Sequence, residues 1–312
     1  MRLSLQFAAA LFLSLWLPVV SLAGEVSVKL NAPATQKIMD EIAAAALSRF
    51  ATNKLQSNQL AITLIDLRDS ANLSHGSFRG GAGIYPASVV KLFYLYAAHR
   101  WMEDAKLQDG DELRRAMQDM IVESSNDATH YVLDAVTGTT SGPELPPAEM
   151  DQWREKRNTV NRFFGSLNYT NINVNQKPWC EGPYGRDRAF VGKDYDNRNA
   201  LTTDATARLM TEIALEQAVT ASRSKEMLKL LQREPFKKPN ADEQATAYTG
   251  AGLPAGSKLW SKAGWTSTAR HDAALVELPS GGRFVLVTFT TGHARDRDII
   301  PFVTRGVVER LK

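Results

Sequence analysis

Residues 85–99, YPASVVKLFYLYAAH, place a serine and a lysine three positions apart at the start of a strongly apolar run. On a helix, side chains three positions apart share one face, with about 5–6 Å between their Cβ atoms. Ser88 and Lys91 are therefore expected to meet at the start of a helix. The opposite side of this helix would be buried through its apolar residues, Val89, Leu92, Phe93 and Tyr96.

The pairing of Ser88 with Lys91 has a chemical meaning. A serine hydroxyl is a poor nucleophile until a base takes its proton, and a lysine can be that base when burial or nearby positive charge disfavours its ammonium form. The backbone N–H of Ser88, at a helix start, would also be free to bind an oxyanion. Ser-x-x-Lys is a common tetrapeptide, however, and taken alone a polar helix entry is its simpler explanation.

Two further motifs follow in a specific order. Ser124-Ser-Asn126 stands at a predicted helix entry, and Lys262-Ala263-Gly264 ends an apolar strand. With the first motif, they resemble the signature of the serine β-lactamase and penicillin-binding protein superfamily, S-x-x-K, then S-x-N, then K-[TS]-G. The chain is most similar to the class A β-lactamase-related serine hydrolases, over about residues 35 to 311.

The resemblance implies a role for each matching residue. Ser88 would be the acylated nucleophile, Lys91 the general base or proton relay, and Ser124 the group that passes a proton to the leaving group. Asn126 would hydrogen-bond the amide of the substrate, and Lys262 would supply positive potential facing Ser124. The alternative for Ser124 and Asn126 is a pair of helix caps, and for Lys262 a solvated strand end.

Residues around the third motif complete the site that the resemblance implies. The backbone N–H groups of Ser88 and Trp265 would form the oxyanion hole, and Gly264, Trp265 and Arg270 would contact the substrate. Ala263 replaces the hydroxyl residue that helps lactam-binding relatives to hold the substrate carboxylate. We expect Thr266, Ser267 or Arg270 to compensate, and we expect the large side chain of Trp265 to narrow the site.

The residues that would activate water to hydrolyse the acyl-enzyme also depart from the family pattern. Class A β-lactamases hydrolyse the acyl-enzyme with a loop glutamate that is paired with an asparagine four residues later. Trp179 and Glu181 resemble that loop, but Cys180 is inserted and Gly185 stands at the asparagine position. Glu181 is the predicted base. The alternatives are an ion pair of Glu181 with Arg186 or Arg188, a plain surface carboxylate, or Glu155 as the base.

Strand patterns lie at both ends of the chain and helical patterns fill the middle, which predicts an α/β (α+β) fold. One antiparallel sheet would be flanked by terminal helices and joined to an all-helical subdomain. The predicted strands are 60–67, 258–264, 272–278 and 283–290, and the predicted helices include 35–50, 112–123, 149–167 and 296–311. The predicted boundaries are a signal peptide over 1–23, a sheet subdomain over 24–84 and 216–312, and a helical subdomain over 85–215 with a long active-site loop over 168–199.

The first residues indicate export. Arg2 precedes an apolar run from Leu5 to Val20, and small residues before Gly24 suit signal-peptidase cleavage, which favours a periplasmic or secreted protein over a retained membrane anchor. Cys180 is the only cysteine, so no internal disulfide can form. The chain has 37 Lys and Arg and 34 Asp and Glu, and it contains no long basic run. This charge balance gives no support to nucleic-acid binding.

The expected function is β-lactamase-like hydrolysis of a cyclic amide, or of a related amide or ester, through an acyl-enzyme on Ser88. We expect a monomer that needs no cofactor or metal and takes a small-molecule or peptidoglycan-like substrate. The alternatives are a D,D-peptidase or esterase and a non-hydrolytic penicillin-binding protein of the same fold. A Ser-His-Asp hydrolase is disfavoured because no G-x-S-x-G elbow accompanies the five histidines.

Overall fold

The computed structural model describes residues 28–29, 32–179, 182–236 and 243–311. The predicted signal peptide and the predicted base Glu181 lie outside the described residues. Within these ranges the chain forms a seven-stranded sheet and eleven α-helices. The predicted α+β class is confirmed, whereas the exact subdomain boundaries stay a prediction.

The sheet is built from both ends of the chain. Its strands are β1 (Val28–Lys29), β2 (Leu60–Asp66), β3 (Leu73–Phe78), β4 (Gln232–Arg233), β5 (Lys258–Trp265), β6 (Ala269–Glu277) and β7 (Arg283–Thr291). Their spatial order is β1-β3-β2-β7-β6-β5-β4, and every pairing is antiparallel except that of β1 with β3. The pairing of β2 with β7 joins the early strands to the late ones, as predicted.

Helices occupy the middle of the chain and both ends of the described part. They are α1 (Pro33–Arg49), α2 (Lys91–Glu103), α3 (Asp111–Gln118), α4 (Asn126–Thr137), α5 (Pro147–Arg157), α6 (Thr159–Ser166), α7 (Gly185–Val191), α8 (Thr203–Ala214), α9 (Ala221–Leu231), α10 (Glu243–Thr246) and α11 (Ile299–Leu311). Thr202 caps α8, because its side chain accepts a hydrogen bond from the Ala205 N–H.

Both faces of the sheet are buried. Successive side chains on a strand point to opposite faces, and on β6 the residues Ala274 and Val276 pack in one hydrophobic cluster with α1 and α11. Their neighbours Ala273 and Leu275 pack in another cluster with α2 and α8. The terminal helices therefore cover one face of the sheet and the central helices cover the other.

Some predicted elements differ in their bounds. The helix predicted over 149–167 is two helices, because α5 ends at Arg157 and the Asn158 side chain accepts hydrogen bonds from Asn161 and Asn175. The helix predicted over 112–123 ends at Gln118 and continues as a π-helical turn, Asp119–Glu123. The loop predicted over 168–199 contains the short helix α7.

In the part of the chain that the structure describes, none of the helices has the length and apolar character needed to cross a membrane.

Candidate active site

Ser88 lies on a tight turn that leads into α2. A 3₁₀ turn spans Ala87–Val90, and Ala87 has a left-handed backbone with φ of 47°. A left-handed non-glycine residue costs on the order of 1–3 kcal/mol, so it persists only where surrounding contacts impose it. Here the Val89 N–H donates to the Pro86 carbonyl oxygen at 3.1 Å. Ser88 is half-buried between buried neighbours.

The turn before Ser88 is also held from the sheet. His271 on β6 is fully buried, and its Nε2 lies 3.0 Å from the Tyr85 carbonyl oxygen, while the Thr290 N–H donates to Nδ1 at 3.1 Å. Because Nδ1 accepts, Nε2 carries the proton and donates to Tyr85. Burial lowers the pKa of His271 to about 4, so the ring is neutral at neutral pH. His271 thus bonds backbone groups and fixes the chain that leads into the turn Ala87–Val90, called the nucleophile turn below because Ser88 is the predicted nucleophile.

Ser124 occupies a second left-handed position, with φ of 56°, at the end of the π-helical turn Asp119–Glu123. The cap of the next helix is Ser125, whose side chain accepts a hydrogen bond from the Ala128 N–H at 3.1 Å. Neither Ser124 nor Asn126 is therefore the N-cap residue. The hydroxyl of Ser124 is left to face the site.

Lys91 is fully buried and connects the first motif to the second. Its Nζ donates to the Ser124 carbonyl oxygen at 2.6 Å, to the Asn126 Oδ1 at 2.9 Å and, at a longer 3.3 Å, to the Ser124 Oγ. The structure therefore brings Lys91, Ser124 and Asn126 together, as the motif order predicts.

Lys262 on β5 reaches the same hydroxyl from the opposite direction. Its fully buried Nζ donates to the Ser124 Oγ at 2.9 Å, the Gln244 Oε1 at 2.7 Å and the Ala263 carbonyl oxygen at 2.8 Å. The Ser124 hydroxyl thus lies between the side-chain nitrogens of Lys91 and Lys262. Such a hydroxyl can move a proton between a base and a leaving group, and the positive charge around it favours an anionic substrate.

Gly264 forms the contact between β5 and the nucleophile turn. A Cβ atom built on Gly264 would lie 2.7 Å from the Pro86 carbonyl oxygen and 2.9 Å from the backbone nitrogens of both Ser88 and Val89. Only glycine allows so close an approach of the two backbones. The next residue, Trp265, keeps 48% of its side chain exposed at the end of the strand.

Arg270 does not join the group around Ser124. It pairs with Trp265 on the adjacent strand, so it lies on the sheet face opposite Lys262 and Gly264. Its guanidinium lies 3.8 Å from the centre of the Tyr248 ring and donates to the Ala247 carbonyl oxygen at 2.9 Å. Its buried Nε–H meets no acceptor among the described residues. Arg270 therefore supports the aromatic pair of Tyr248 and Trp265, whose ring centres are 6.5 Å apart.

Residues 177–179, which lead to Glu181, are held against α4 by side-chain contacts. The ring of His130 packs 4.6 Å from that of Trp179, and its Nε2 lies 2.7 Å from the Pro178 carbonyl oxygen. Lys177 donates from Nζ to Asp134 at 2.6 Å. The other candidate base, Glu155, has a 71% exposed side chain that forms an ion pair with Arg162, so it faces solvent.

A buried charge network anchors the rest of the loop. Arg157 is fully buried and donates to Asp134 and to Asp187, each at 3.1 Å, and it also stacks on Trp153. Burial raises the pKa of the Asp134 carboxyl and lowers that of the Lys177 amine. The loop is therefore held by paired charges as well as by its backbone.

Gln244 and Arg233 belong to the site but were not predicted from the sequence. Arg233 on β4 donates to the Ser261 carbonyl oxygen at 3.2 Å and to those of Ile121 and Val122 at 2.8 and 3.3 Å. Gln244 donates to Val122 and accepts from Lys262. Neither residue stands in a motif, and the Val122 carbonyl group that both bind lies more than a hundred residues away, so no local signal marks them.

Comparison with known proteins identifies a family whose model matches this chain. The model of a family described as "Beta-lactamase enzyme family" matches residues 105–310, more than half of the chain. The matched range includes the second and third motifs and begins after Ser88 and Lys91. Among curated proteins, no sequence matches.

Solved structures with the same fold span nearly the whole described chain. A variant of PBP-A, solved as an acyl-enzyme complex with penicillin G, is 16% identical over 87% of this chain and 96% of its own, with a TM-score of 0.62. A β-lactamase from Sphaerobacter thermophilus is 17% identical over 87% and 97%, with a TM-score of 0.63. One from Chitinophaga pinensis is 16% identical over 90% and 100%, also with a TM-score of 0.63.

Proposed function

Because this chain belongs to the β-lactamase enzyme family, we propose that it is a serine hydrolase that forms an acyl-enzyme on Ser88 and hydrolyses a β-lactam or a related amide or ester. The observation that carries the proposal is the Ser124 hydroxyl, held 2.9 Å from the Lys262 Nζ and 3.3 Å from the Lys91 Nζ. This arrangement supplies a proton path beside the nucleophile turn.

Acylation begins when the Ser88 Oγ attacks the substrate carbonyl carbon and its proton passes to the Lys91 amine. Burial and the neighbouring charge of Lys262 both disfavour a second ammonium group, which suits Lys91 to the role of base. The carbonyl oxygen becomes an oxyanion and accepts hydrogen bonds from the N–H groups of Ser88 and Trp265. The bond to the leaving nitrogen or oxygen then breaks, Ser124 gives that atom a proton, and Lys91 returns its proton to Ser124.

Deacylation needs water and a base. The proposed base is Glu181, which would take a proton from a water molecule that attacks the ester carbonyl and would pass this proton on to the Ser88 Oγ as the ester bond breaks, so that both residues return to their starting state. Support for this assignment comes from the sequence and from the neighbouring contacts of Pro178 and Trp179 with His130, which fix the approach of this segment to α4.

A D,D-peptidase, an esterase or a slowly hydrolysing penicillin-binding protein is the second candidate function. Two observations favour it. Ala263 lacks the hydroxyl that helps lactam-binding relatives to hold the substrate carboxylate, and Trp265 is an exposed bulky side chain beside the proposed oxyanion hole. Both features change the pocket that a compact bicyclic lactam would enter.

We also propose export and a monomeric state, with a small-molecule or peptidoglycan-like substrate. The pattern of the first 23 residues supports export.

The test treats the protein with a fluorescent penicillin and with a fluorophosphonate and locates the added mass. Wild type should be labelled on Ser88, whereas Ser88→Ala should be inert towards both probes and towards a chromogenic cephalosporin and a panel of esters. Its free energy of unfolding should stay within about 0.5 kcal/mol of wild type. Ser70→Ala, at an exposed turn, is the matched control and should react normally.

The outcomes separate the two candidate functions. Labelling by the fluorophosphonate alone favours an esterase or amidase, and labelling by neither probe excludes the hydrolase. In the same assay Glu181→Gln should accumulate the acyl-enzyme, because the water would lack its base. Turnover of the adduct at the wild-type rate would show that Glu181 has a structural role.

A further inference from the structure

Gln244 is bonded at both ends of its side-chain amide. The residue lies on the short helix α10 and is 5% exposed. Its Oε1 accepts from the Lys262 Nζ at 2.7 Å and from the Ala263 N–H at 3.3 Å, and its Nε2 donates to the Val122 carbonyl oxygen at 2.9 Å. The amide orientation is determined, because the reverse orientation would set N–H groups against two donors. Val122 lies two residues before Ser124, so Gln244 links Lys262 to the serine-bearing turn.

We propose that Gln244 is a positioning residue for acylation, which holds Lys262 at hydrogen-bond distance from Ser124 so that the serine can deliver its proton to the leaving group. The inference rests on the proposed function, in which Ser124 carries that proton. It assigns a task in the reaction to a residue that lies outside the three motifs.

The contacts of Arg233 separate this role from a purely structural one. Arg233 already ties the β5 backbone at Ser261 to the carbonyl oxygens of Ile121 and Val122. The strand and the turn therefore stay connected when Gln244 is replaced. What the replacement removes is the shortest of the three described hydrogen bonds of the Lys262 Nζ, the other two being those to the Ala263 carbonyl oxygen and the Ser124 Oγ.

The neutrality of Gln244 matters as well. A carboxylate at this position would attract the Lys262 ammonium more strongly than an amide oxygen does, because charge-assisted hydrogen bonds are stronger and shorter. The lysine would then turn from Ser124 towards residue 244 and would keep its proton to higher pH. A carboxylate would also repel the Val122 carbonyl oxygen, to which the amide now donates.

The experiment compares Gln244→Glu and Gln244→Ala with Gln232→Glu, which adds the same charge at an exposed position on the neighbouring strand. Modification of Ser88 is timed with two reagents. A fluorescent penicillin, or an alkyl ester where wild type prefers one, has a leaving group that needs a proton. A fluorophosphonate releases fluoride, which needs none. The pH at which the Lys262 ammonium titrates is followed by NMR on lysine-labelled protein, with the signal assigned through Lys262→Arg.

Both Gln244 variants should react about 10²-fold more slowly with the penicillin or alkyl ester, a typical loss for a catalytic group misplaced by about 1 Å. Their reaction with the fluorophosphonate should change far less. Gln244→Glu should also shift the Lys262 titration and the alkaline limb of the rate profile to higher pH, and Gln244→Ala should not. Gln232→Glu should behave as wild type in every measurement.

Any of three outcomes would overturn the proposal. The Gln244 variants could be slowed equally with both reagents, Gln244→Ala could react at the wild-type rate, or the Lys262 titration could be unshifted in Gln244→Glu. The titration does not depend on activity. If wild type is not modified on Ser88 at all, the proposed function fails, and an unshifted titration then rejects the link between Gln244 and Lys262 separately.

Discussion

The proposed nucleophile, Ser88, and the proposed proton carrier, Ser124, share an unusual backbone feature. Ala87, immediately before Ser88, and Ser124 itself both adopt left-handed conformations without being glycine. Each is held by contacts from distant segments, the first through His271 and Gly264, the second through the two lysines. The strained positions therefore lie at, or directly before, the residues that are proposed to perform the chemistry. Neither an alanine nor a serine signals such a conformation in sequence, so the motifs predicted the residues but not the turns that present them.

Gly264→Ala tests the close contact of β5 with the nucleophile turn. The added methyl group would meet backbone atoms of Pro86, Ser88 and Val89, which cannot rotate away, so the strand or the turn must shift. Loss of an oxyanion-hole donor costs about 10²–10³-fold in rate, and we expect Ser88 acylation to fall by about this factor. Gly81→Ala is the control, because a Cβ there meets nothing within 4 Å. Acylation at the wild-type rate in Gly264→Ala would refute the contact.

At the scale of elements, periodicity predicted strands better than helix ends. The β5, β6 and β7 strands lie within a few residues of their predicted bounds, because short apolar runs with turn residues between them are local signals. The break at Asn158 was missed because it depends on hydrogen bonds from Asn175, which lies 17 residues away. The π-helical turn before Ser124 was missed because its residues favour an ordinary helix. Tertiary contacts decide such features, and sequence patterns do not contain them.

Because Arg157 anchors the long loop, replacing it should lower the free energy of unfolding much more than replacing Arg154, which lies on the same helix, α5. Arg157→Met removes the ion pair of the buried Asp187, whereas Asp134 keeps its pair with Lys177, and losing one member of a buried ion pair costs about 3–5 kcal/mol. Arg154→Met, whose side chain is 46% exposed, should cost no more than about 0.5 kcal/mol. Urea unfolding measures both costs, and amide hydrogen exchange over residues 168–199 should accelerate only in Arg157→Met. Similar effects of the two substitutions would contradict the assigned anchor.

At the scale of the whole molecule, the site depends on two parts of the chain that fold against each other. Ser88, Lys91 and Ser124 come from the helical side, and Lys262 and Gly264 come from the sheet. The motif order was enough to predict the family and the fold class, and both predictions are confirmed. It was not enough to place Arg270 on the far sheet face or to reveal Gln244, because strand register and the position of α10 arise only in the assembled molecule.

The same burial that shapes the site makes global stability depend on pH. Burial lowers the pKa of His271 to about 4 and that of His99 to about 3, against an ordinary value of 6.5. At a pH between the folded and the ordinary pKa of each histidine, the unfolded chain therefore binds a proton that the folded chain does not bind. The contribution of each neutral histidine to the free energy of unfolding is fully present above about pH 6.5. It is lost as the pH falls towards the pKa of that histidine in the folded chain. Buried carboxyls with a raised pKa, such as that of Asp272, act in the opposite direction at pH values above their ordinary pKa of 3.8.

We therefore expect the free energy of unfolding to fall less steeply in His271→Gln than in wild type between about pH 6.5 and pH 4. The variant starts lower at pH 7, because it loses well-placed hydrogen bonds to Tyr85 and Thr290, but the difference should shrink by on the order of 3 kcal/mol across this range. Urea unfolding at closely spaced pH values gives both curves. His99→Gln should remove a separate part of the slope, since His99 packs elsewhere, on α2. Parallel curves for wild type and His271→Gln would mean that His271 takes up its proton at the same pH in the folded and unfolded chains, and the argument that burial keeps this ring neutral would then fail.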